Sequence, residues 1–450
     1  METQHSEDED EDEDDLAFAR MVTRYDLLYT LSLPLVAPYL AWRHYSKGKY
    51  TESAGGMLGR RLPKGEAARR FEAGSLWVHA VSVGEVTAAR AVIPGLRRLR
   101  PELPLVVSTV TETGQAAARR FFGHDHGITL TYFPLDFSLL VRRFQEVFRP
   151  RVFVLLETEL WPNFLTQAAA RGTRCFMINA KISDLSYPRY RSFRGLLRPA
   201  LAALGGVCAQ TAVDAERFAD LGVAPALIRV NGNVKFDLEQ KPLSGEERRA
   251  LMALFGMSPE RRWIVAGSTH PGEEALILEA FKQVRARVPG AGLLLCPRHP
   301  ERFDEAARLA EAAGLRTGRA SAPNLAADAE VIILDKMGVL AKAYGLGETS
   351  IVAGSFCSVG GHNLLEAAAH GVPVVYGPDM HSQREIDRLF NETGAGLQVT
   401  PEALAPTLVR LLEDARFRAE EGQKGYRLIE ANRGAAQRAV AAIGEWLGRA

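Results

Sequence analysis

From Ser75 onward, short apolar runs alternate with amphipathic stretches, and this alternation constrains the fold more than any other feature of the chain. Leu76–Val81, Leu105–Val110, Thr129–Phe133, Val152–Leu156, Cys175–Asn179 and Gly206–Gln210 read as strands. Val86–Leu99, Gly114–Phe122, Ser138–Phe148 and Asp214–Leu221 carry helical periodicity between them. A βαβ series of this kind predicts an α/β fold with a parallel, doubly wound sheet. Lys241–Glu247 reads as a linker, after which the alternation restarts. Strands are expected at Trp263–Ala266, Gly292–Cys296, Val331–Leu334, Ser350–Ala353 and Val372–Tyr376, and helices at Glu273–Val288, Glu301–Ala313 and Met337–Tyr344. The prediction is therefore two Rossmann-like lobes, 51–240 and 241–450, with the last helix free to pack back on the first lobe. Ligands of such sheets bind beyond the carboxyl ends of the strands.

A length of 450 residues suits two domains, and 47% hydrophobic with 24% charged residues is an ordinary globular composition. The four cysteines, Cys175, Cys208, Cys296 and Cys357, are scattered with no Cys-x-x-Cys, so neither zinc nor a disulfide framework is suggested. Residues 1–20 hold ten acidic residues and one basic one, Arg20, and read as a disordered tail. Setting these aside from the 55 basic and 54 acidic residues leaves 54 against 44, so the body carries about +10, a charge suited to anionic lipids and phosphorylated ligands.

Leu27–Trp42 has no charge, with Arg43, His44, Lys47 and Lys49 following it. It is short for a square crossing of a bilayer and is kinked by Pro34 and Pro38. Residues 21–50 are therefore expected to be an uncleaved N-terminal membrane anchor, spanning or interfacial, with the body on the cytoplasmic side.

Each chemical motif falls at the end of an expected strand. Glu85, in His79-Ala-Val-Ser-Val-Gly-Glu85, sits at a strand-to-helix corner where a carboxylate can act as a general base. Glu157 and Glu159 end an apolar strand, and burying them needs a partner, either Lys181 or Lys235. Pro297 and Arg298 follow a strand of the second half, where the guanidinium fork can hold a phosphate or a base carbonyl. Met337, Gly338 and Val339 resemble a backbone loop that holds a base. Between two further strands, Gly354, Gly360 and Gly361 open into an expected helix, Asn363–His370. Bare N–H groups and a helix dipole there suit a phosphate, and Glu366 suits a ribose diol. No Gly-x-Gly-x-x-Gly occurs, which disfavours a dinucleotide dehydrogenase, and no Asp-x-Asp occurs outside the acidic tail, so a metal-held diphosphate has no candidate.

From about Tyr25 to the C-terminus the chain resembles the 3-deoxy-D-manno-octulosonic acid (Kdo) transferases of lipid A assembly. The resemblance is carried by His-Ala-Val-Ser-Val-Gly-Glu, Thr109-Val-Thr-Glu-Thr-Gly114, Glu-Thr-Glu-Leu-Trp-Pro-Asn, Gly-Asn-Val-Lys-Phe-Asp, Ala266-Gly-Ser-Thr-His270, Pro-Arg-His-Pro-Glu-Arg-Phe and Gly-Gly-His-Asn-Leu-Leu-Glu. It implies a glycosyltransferase-B architecture with CMP-β-Kdo as donor. It also implies an acylated, bisphosphorylated glucosamine disaccharide of the inner membrane, lipid IVA, as acceptor. Glu85 then matches the general base of an inverting transfer, and Glu157 and Lys235 match positions that stabilise the transition state. CMP contacts map to Pro297, Arg298, Met337, Gly338, Val339, Asn363, Leu364, Leu365 and Glu366, beside the loop glycines Gly360 and Gly361. No metal or other cofactor is expected, and the expected partners are CMP-Kdo, the lipid A precursor and anionic lipids, not nucleic acid. Lys181, Val339 and His381-Ser382-Gln383 depart from the residues common in the family, and the acidic tail has no counterpart there. The rival readings are a UDP-sugar enzyme of the same architecture, transferase or epimerase, and a non-catalytic nucleotide-binding scaffold on a membrane.

Overall fold

Uninterrupted runs of Val, Leu, Ile and Phe make parallel strands here because both of their faces are covered by helices. The computed structural model describes residues 23–32, 34, 52–237, 241–322, 324 and 328–448. The chain divides into two units, one drawn from Met1–Leu238 and Arg433–Ala450, the other from Glu239–Asn432.

In the first unit, β1 (Ser75–His79), β2 (Leu105–Thr109), β3 (Ile128–Tyr132), β4 (Pro150–Leu156), β5 (Arg174–Ala180), β6 (Leu204–Ala209) and β7 (Ile228–Val230) form one sheet in the order β3-β2-β1-β4-β5-β6-β7. Every pairing in it is parallel. The order reverses between β1 and β4, which makes that position the switch point where a crevice opens. In the second unit, β8 (Arg262–Thr269), β9 (Ala291–Pro297), β10 (Thr317–Arg319), β11 (Val331–Ile333), β12 (Thr349–Val352), β13 (Val374–Tyr376) and β14 (Leu397–Gln398) are ordered β10-β11-β9-β8-β12-β13-β14, again all parallel. Its switch point lies between β8 and β12.

Two packing features position the first unit's chemistry. Helix Val83–Leu99 buries Val86, Ala89, Val92, Ile93 and Leu96 against the sheet. Helix Ala435–Gly448 lies beside it, close enough that a Cβ on Gly95 would meet Val440 at 2.9 Å. The last helix is held there by the Asp237 carboxylate, which accepts from the Gly434 and Ala436 N–H groups at its start. Trp446 stacks on Phe176 beneath the sheet, over Gly206, where any side chain would collide with its ring.

Expected and observed elements differ where the signal was local. The supposed linker is half helix: Ser244 and Glu247 form a reciprocal capping box that starts helix Gly245–Leu254. The expected helix over Asn363–His370 shrinks to a single turn, Leu365–Ala368. β7, β10 and β14 are edge strands too short to leave a period in the sequence. The acidic tail and most of Leu27–Trp42 lie outside the described residues. Among the described residues no helix is long and apolar enough to cross a membrane. Residues 24–32 are helical, and they dock through polar contacts. Asp26 is buried and accepts from Thr23 N, Ser138 N and Asn163 Nδ2, while Tyr25 donates to the Leu196 carbonyl. The opposite face leaves Leu27 and Leu31 58% and 67% exposed.

Candidate active site

Glu85 sits in the first turn of helix Val83–Leu99, after β1. Its carboxylate folds back over the β1 loop, accepting from Val81 N–H at 2.7 Å and Ser82 Oγ at 3.2 Å. The loop is rigid because the Val81 carbonyl accepts in turn from Val110 N, Thr111 N and Thr111 Oγ1. Gly114 allows that approach, since a Cβ there would meet Thr111 Oγ1 at 2.8 Å and the Val81 oxygen at 3.0 Å. Burial pushes the Glu85 carboxyl up from 4.5 to about 7, against the Val81 hydrogen bond and with help from the charges of Glu157 and Glu159. A carboxyl poised near neutrality at a switch point is suited to exchange a proton.

Glu157 follows β4, across the switch point from β1. Its backbone is left-handed, φ 57°, and so is that of Asn179 near the end of β5, φ 56°. Each costs an L-residue about 1 kcal/mol or more, and such outliers gather at functional sites. The surroundings enforce both: Glu157 N donates to the Ile178 carbonyl, and Asn179 Oδ1 accepts from Val234 N at 3.0 Å. That contact anchors the short helix Val234–Asp237 and brings Lys235 Nζ to 3.0 Å from Glu157 Oε1, a charge pair whose atoms are not aligned for a hydrogen bond. Of the two partners left open by the sequence, Lys235 is paired with Glu157. The Lys181 backbone joins Thr158. Burial, then the Glu157 charge, raises the Glu159 carboxyl.

In the second unit the expected nucleotide contacts share the carboxyl end of the sheet. Pro297 ends β9, and Arg298 is exposed beyond it, its N–H tied to the Thr269 carbonyl. Met337 is exposed, Gly338 is left-handed, and Val339 leads into helix Leu340–Ala343. Glu366 lies in the single turn Leu365–Ala368, its carboxyl raised by burial and partly relieved by the Asn363 amide and the Arg298 charge. Asn363 Oδ1 also accepts from Leu365 N. Leu364 and Leu365 are buried, so their side chains serve the core.

The glycine loop differs from its expected role as a cradle of bare N–H groups on a helix dipole. A four-residue helix has little dipole to offer, and much of the loop is already bonded. Gly354 N and Phe356 N donate to Glu273 at 2.8 and 3.0 Å, and Gly361 N donates to the Gly354 carbonyl. Gly360 and Gly361 serve close packing: a Cβ would meet Ser382 Oγ at 2.4 Å and Met380 Sδ at 2.2 Å respectively, at φ 91° and 79°.

The structure adds residues that the sequence did not mark as functional. Glu273, almost fully buried at the start of helix Glu273–Arg287, bonds both the β8 loop, through His270 N, and the β12 loop. His270 and His362 meet across that switch point, Nε2 to Nε2 at 2.8 Å. The signal for His270 and Glu273 was the polar run Thr269-His-Pro-Gly-Glu-Glu274 directly after an apolar strand. Among the described residues no group of three or more His, Cys, Asp or Glu is arranged to hold a metal ion.

Solved structures similar in fold include a UDP-GlcNAc 2-epimerase from Neisseria meningitidis, with a TM-score of 0.55 at 11% identity over 82% of this chain and 99% of that one. A glycosyltransferase from Rickettsia africae scores 0.51 at 13% identity over 84% of this chain and all of that one. Paired Rossmann-like units with charged groups at both switch points thus place the protein in the glycosyltransferase-B-like class of folds. Residues 56–238 match the family described as 3-deoxy-D-manno-octulosonic-acid transferase (kdotransferase). The Kdo transferase of Bordetella pertussis is 35% identical over 441 residues, 94% of this chain and 99% of that protein. That of Haemophilus influenzae is 33% identical over 83% of this chain and 87% of that protein. The chain belongs to the Kdo transferase family of glycosyltransferases.

Proposed function

We propose that the protein moves Kdo from CMP-β-Kdo to the primary hydroxyl of lipid IVA, the acylated, bisphosphorylated glucosamine disaccharide of lipopolysaccharide synthesis, with inversion and without a metal. The observation that carries this mechanism is Glu85, a buried carboxyl pushed up to about 7 at the first switch point. Glu85 takes the proton of the acceptor hydroxyl as its oxygen attacks the anomeric carbon. The anomeric C–O bond breaks, its electron pair goes to the phosphate oxygen, and CMP leaves. The Lys235–Glu157 pair, held by strained backbone, supplies fixed charge for the transition state. Arg298, Met337–Val339, Asn363 and Glu366 hold the nucleotide, and Arg298 meets the charge that develops on its phosphate.

The acceptor is reached at the cytoplasmic face of the inner membrane, with Leu27–Trp42 as anchor. Two features support this: the positive body, and the exposed leucines of the docked N-terminal helix, which bonds Asp136 and Ser138 of a segment whose Leu135 and Leu139 are also exposed. Purified protein, CMP-Kdo and tetraacylated acceptor are incubated with a chelator, and the lipid products are weighed by mass spectrometry. Addition of Kdo supports the assignment. No addition, with consumption of a UDP-sugar instead, contradicts it.

A further inference from the structure

We propose that His270 and His362 share one N–H···N hydrogen bond across the second switch point and take up one further proton when a phosphate dianion enters that crevice. The inference rests on the nucleotide donor proposed above and adds a group that acts on its phosphate.

The geometry makes the two rings a unit. The rings are 8° from coplanar, with centroids 5.1 Å apart and Nε2 atoms 2.8 Å apart, so they meet edge to edge along one N–H···N line. Each ring is held from its own side of the crevice. His270 N is bonded to Glu273, and His362 lies so close over Gly354 that a Cβ there would meet its Cδ2 at 2.7 Å. A neutral imidazole has one donor and one acceptor nitrogen. In the pair, therefore, the ring that donates through Nε2 keeps a bare lone pair on Nδ1, and the ring that accepts carries N–H on Nδ1. Neither Nδ1 bonds to the described protein, and neither is sealed from solvent.

A phosphate oxygen facing the lone pair is repelled. One proton from solvent, placed on that Nδ1, makes both outer nitrogens donors while the inner bond persists. The charged and titratable groups facing the pair are Arg298 and His299 from the β9 end and Glu273 and Glu274 from the adjoining helix. While the crevice is empty, burial and the Arg298 charge keep the pair neutral: His362 is pushed down to about 4, and His270 is lowered too. A dianion reverses the field of Arg298. In the transfer reaction the phosphate gains one negative charge as the bond to the sugar breaks, and the added proton offsets it.

CMP is titrated calorimetrically into the full-length protein in buffers of different ionisation enthalpy, between about pH 7 and 8.5. The ligand phosphate, whose second ionisation lies near about pH 6, is already a dianion there. The wild type is expected to take up protons on binding and to lose affinity by up to about tenfold per pH unit. His270→Gln and His362→Gln are each expected to abolish both effects, and His299→Gln, at an exposed ring outside the pair, to keep them. Binding of CMP by the wild type without proton uptake would overturn the proposal even if the variants failed to fold. So would uptake unchanged in both pair variants, or lost in His299→Gln. Failure of CMP to bind at all overturns the nucleotide assignment itself, a separate and recognisable result.

Discussion

Glu85→Gln is expected to remove transfer activity and, above neutral pH, to make the first unit more stable. Burial moves this carboxyl from 4.5 to about 7, which at 1.36 kcal/mol per pH unit sets about 3 kcal/mol against its ionised form. The sign follows from proton binding. Between those two pH values the folded state holds a proton that the unfolded chain has released, so stability falls as pH rises through the window and stays low above it. Glutamine carries no such charge, and its amide oxygen can still accept from Val81 N–H. Thermal unfolding of wild type and variant is compared at pH 5 and pH 8. At pH 5, near the bottom of the window, the two should differ by less than about 1 kcal/mol. At pH 8 the variant should melt higher, by several degrees at about 2–4 °C per kcal/mol for a unit of this size. At pH 8, where wild-type Glu85 is ionised, transfer by the variant should fall by about 10²–10⁴, the usual worth of a positioned base. Equal melting at pH 8, or a variant that melts lower there, would refute the claim that the site holds a costly carboxylate ready for use.

Four further outcomes follow from the same geometry. Lys235→Met should lower kcat by about 10² while changing stability by less than about 1 kcal/mol, because the ion pair with Glu157 is partly exposed; a steady-state assay beside a melting curve checks both. Glu273→Gln should destabilise the second unit by about 2 kcal/mol or more, since one amide oxygen cannot serve three backbone donors; urea denaturation measures it. Gly361→Ala, with a Cβ 2.2 Å from Met380 Sδ at φ 79°, should cost about 2 kcal/mol or more and weaken CMP binding, read by denaturation and calorimetry. Prolonged dialysis against EDTA should leave transfer at its original rate, because no step above uses a metal; loss restored by a divalent ion contradicts that.

The parallel sheets were legible because each central strand is a bare apolar run. Ser138–Phe148 was legible to the residue, because a strong amphipathic period fills a complete helix. Glu85 and Glu157 stood out as carboxylates at strand ends, where burial is costly and needs a reason. Several features were not legible. The pairing of Lys235 with Glu157 depends on Asn179 binding the Val234 backbone 55 residues away, a contact with no local signature. The close packing of the glycine loop was not legible because the same residues serve an open cradle and a tight packing against Asp379–Ser382; only the positions of the neighbours separate the two. The His270–His362 pair joins loops 92 residues apart, so each ring read as an isolated histidine. Leu27–Trp42 was read as an uncharged anchor, and nothing local showed that Tyr25 and Asp26, just before it, dock into the body of the first unit through polar contacts.

The central claim is that Glu85 takes the acceptor's proton during Kdo transfer. Its most direct test is kcat/KM for transfer from CMP-Kdo to tetraacylated acceptor, followed from about pH 5.5 to 8.5 with metals chelated. The rate should rise about tenfold per pH unit on the acid side and level off near the value of about 7 set by the Glu85 site, and this limb should vanish in Glu85→Gln. A profile flat across that range, or an acid limb that survives in the glutamine variant, would contradict the assignment.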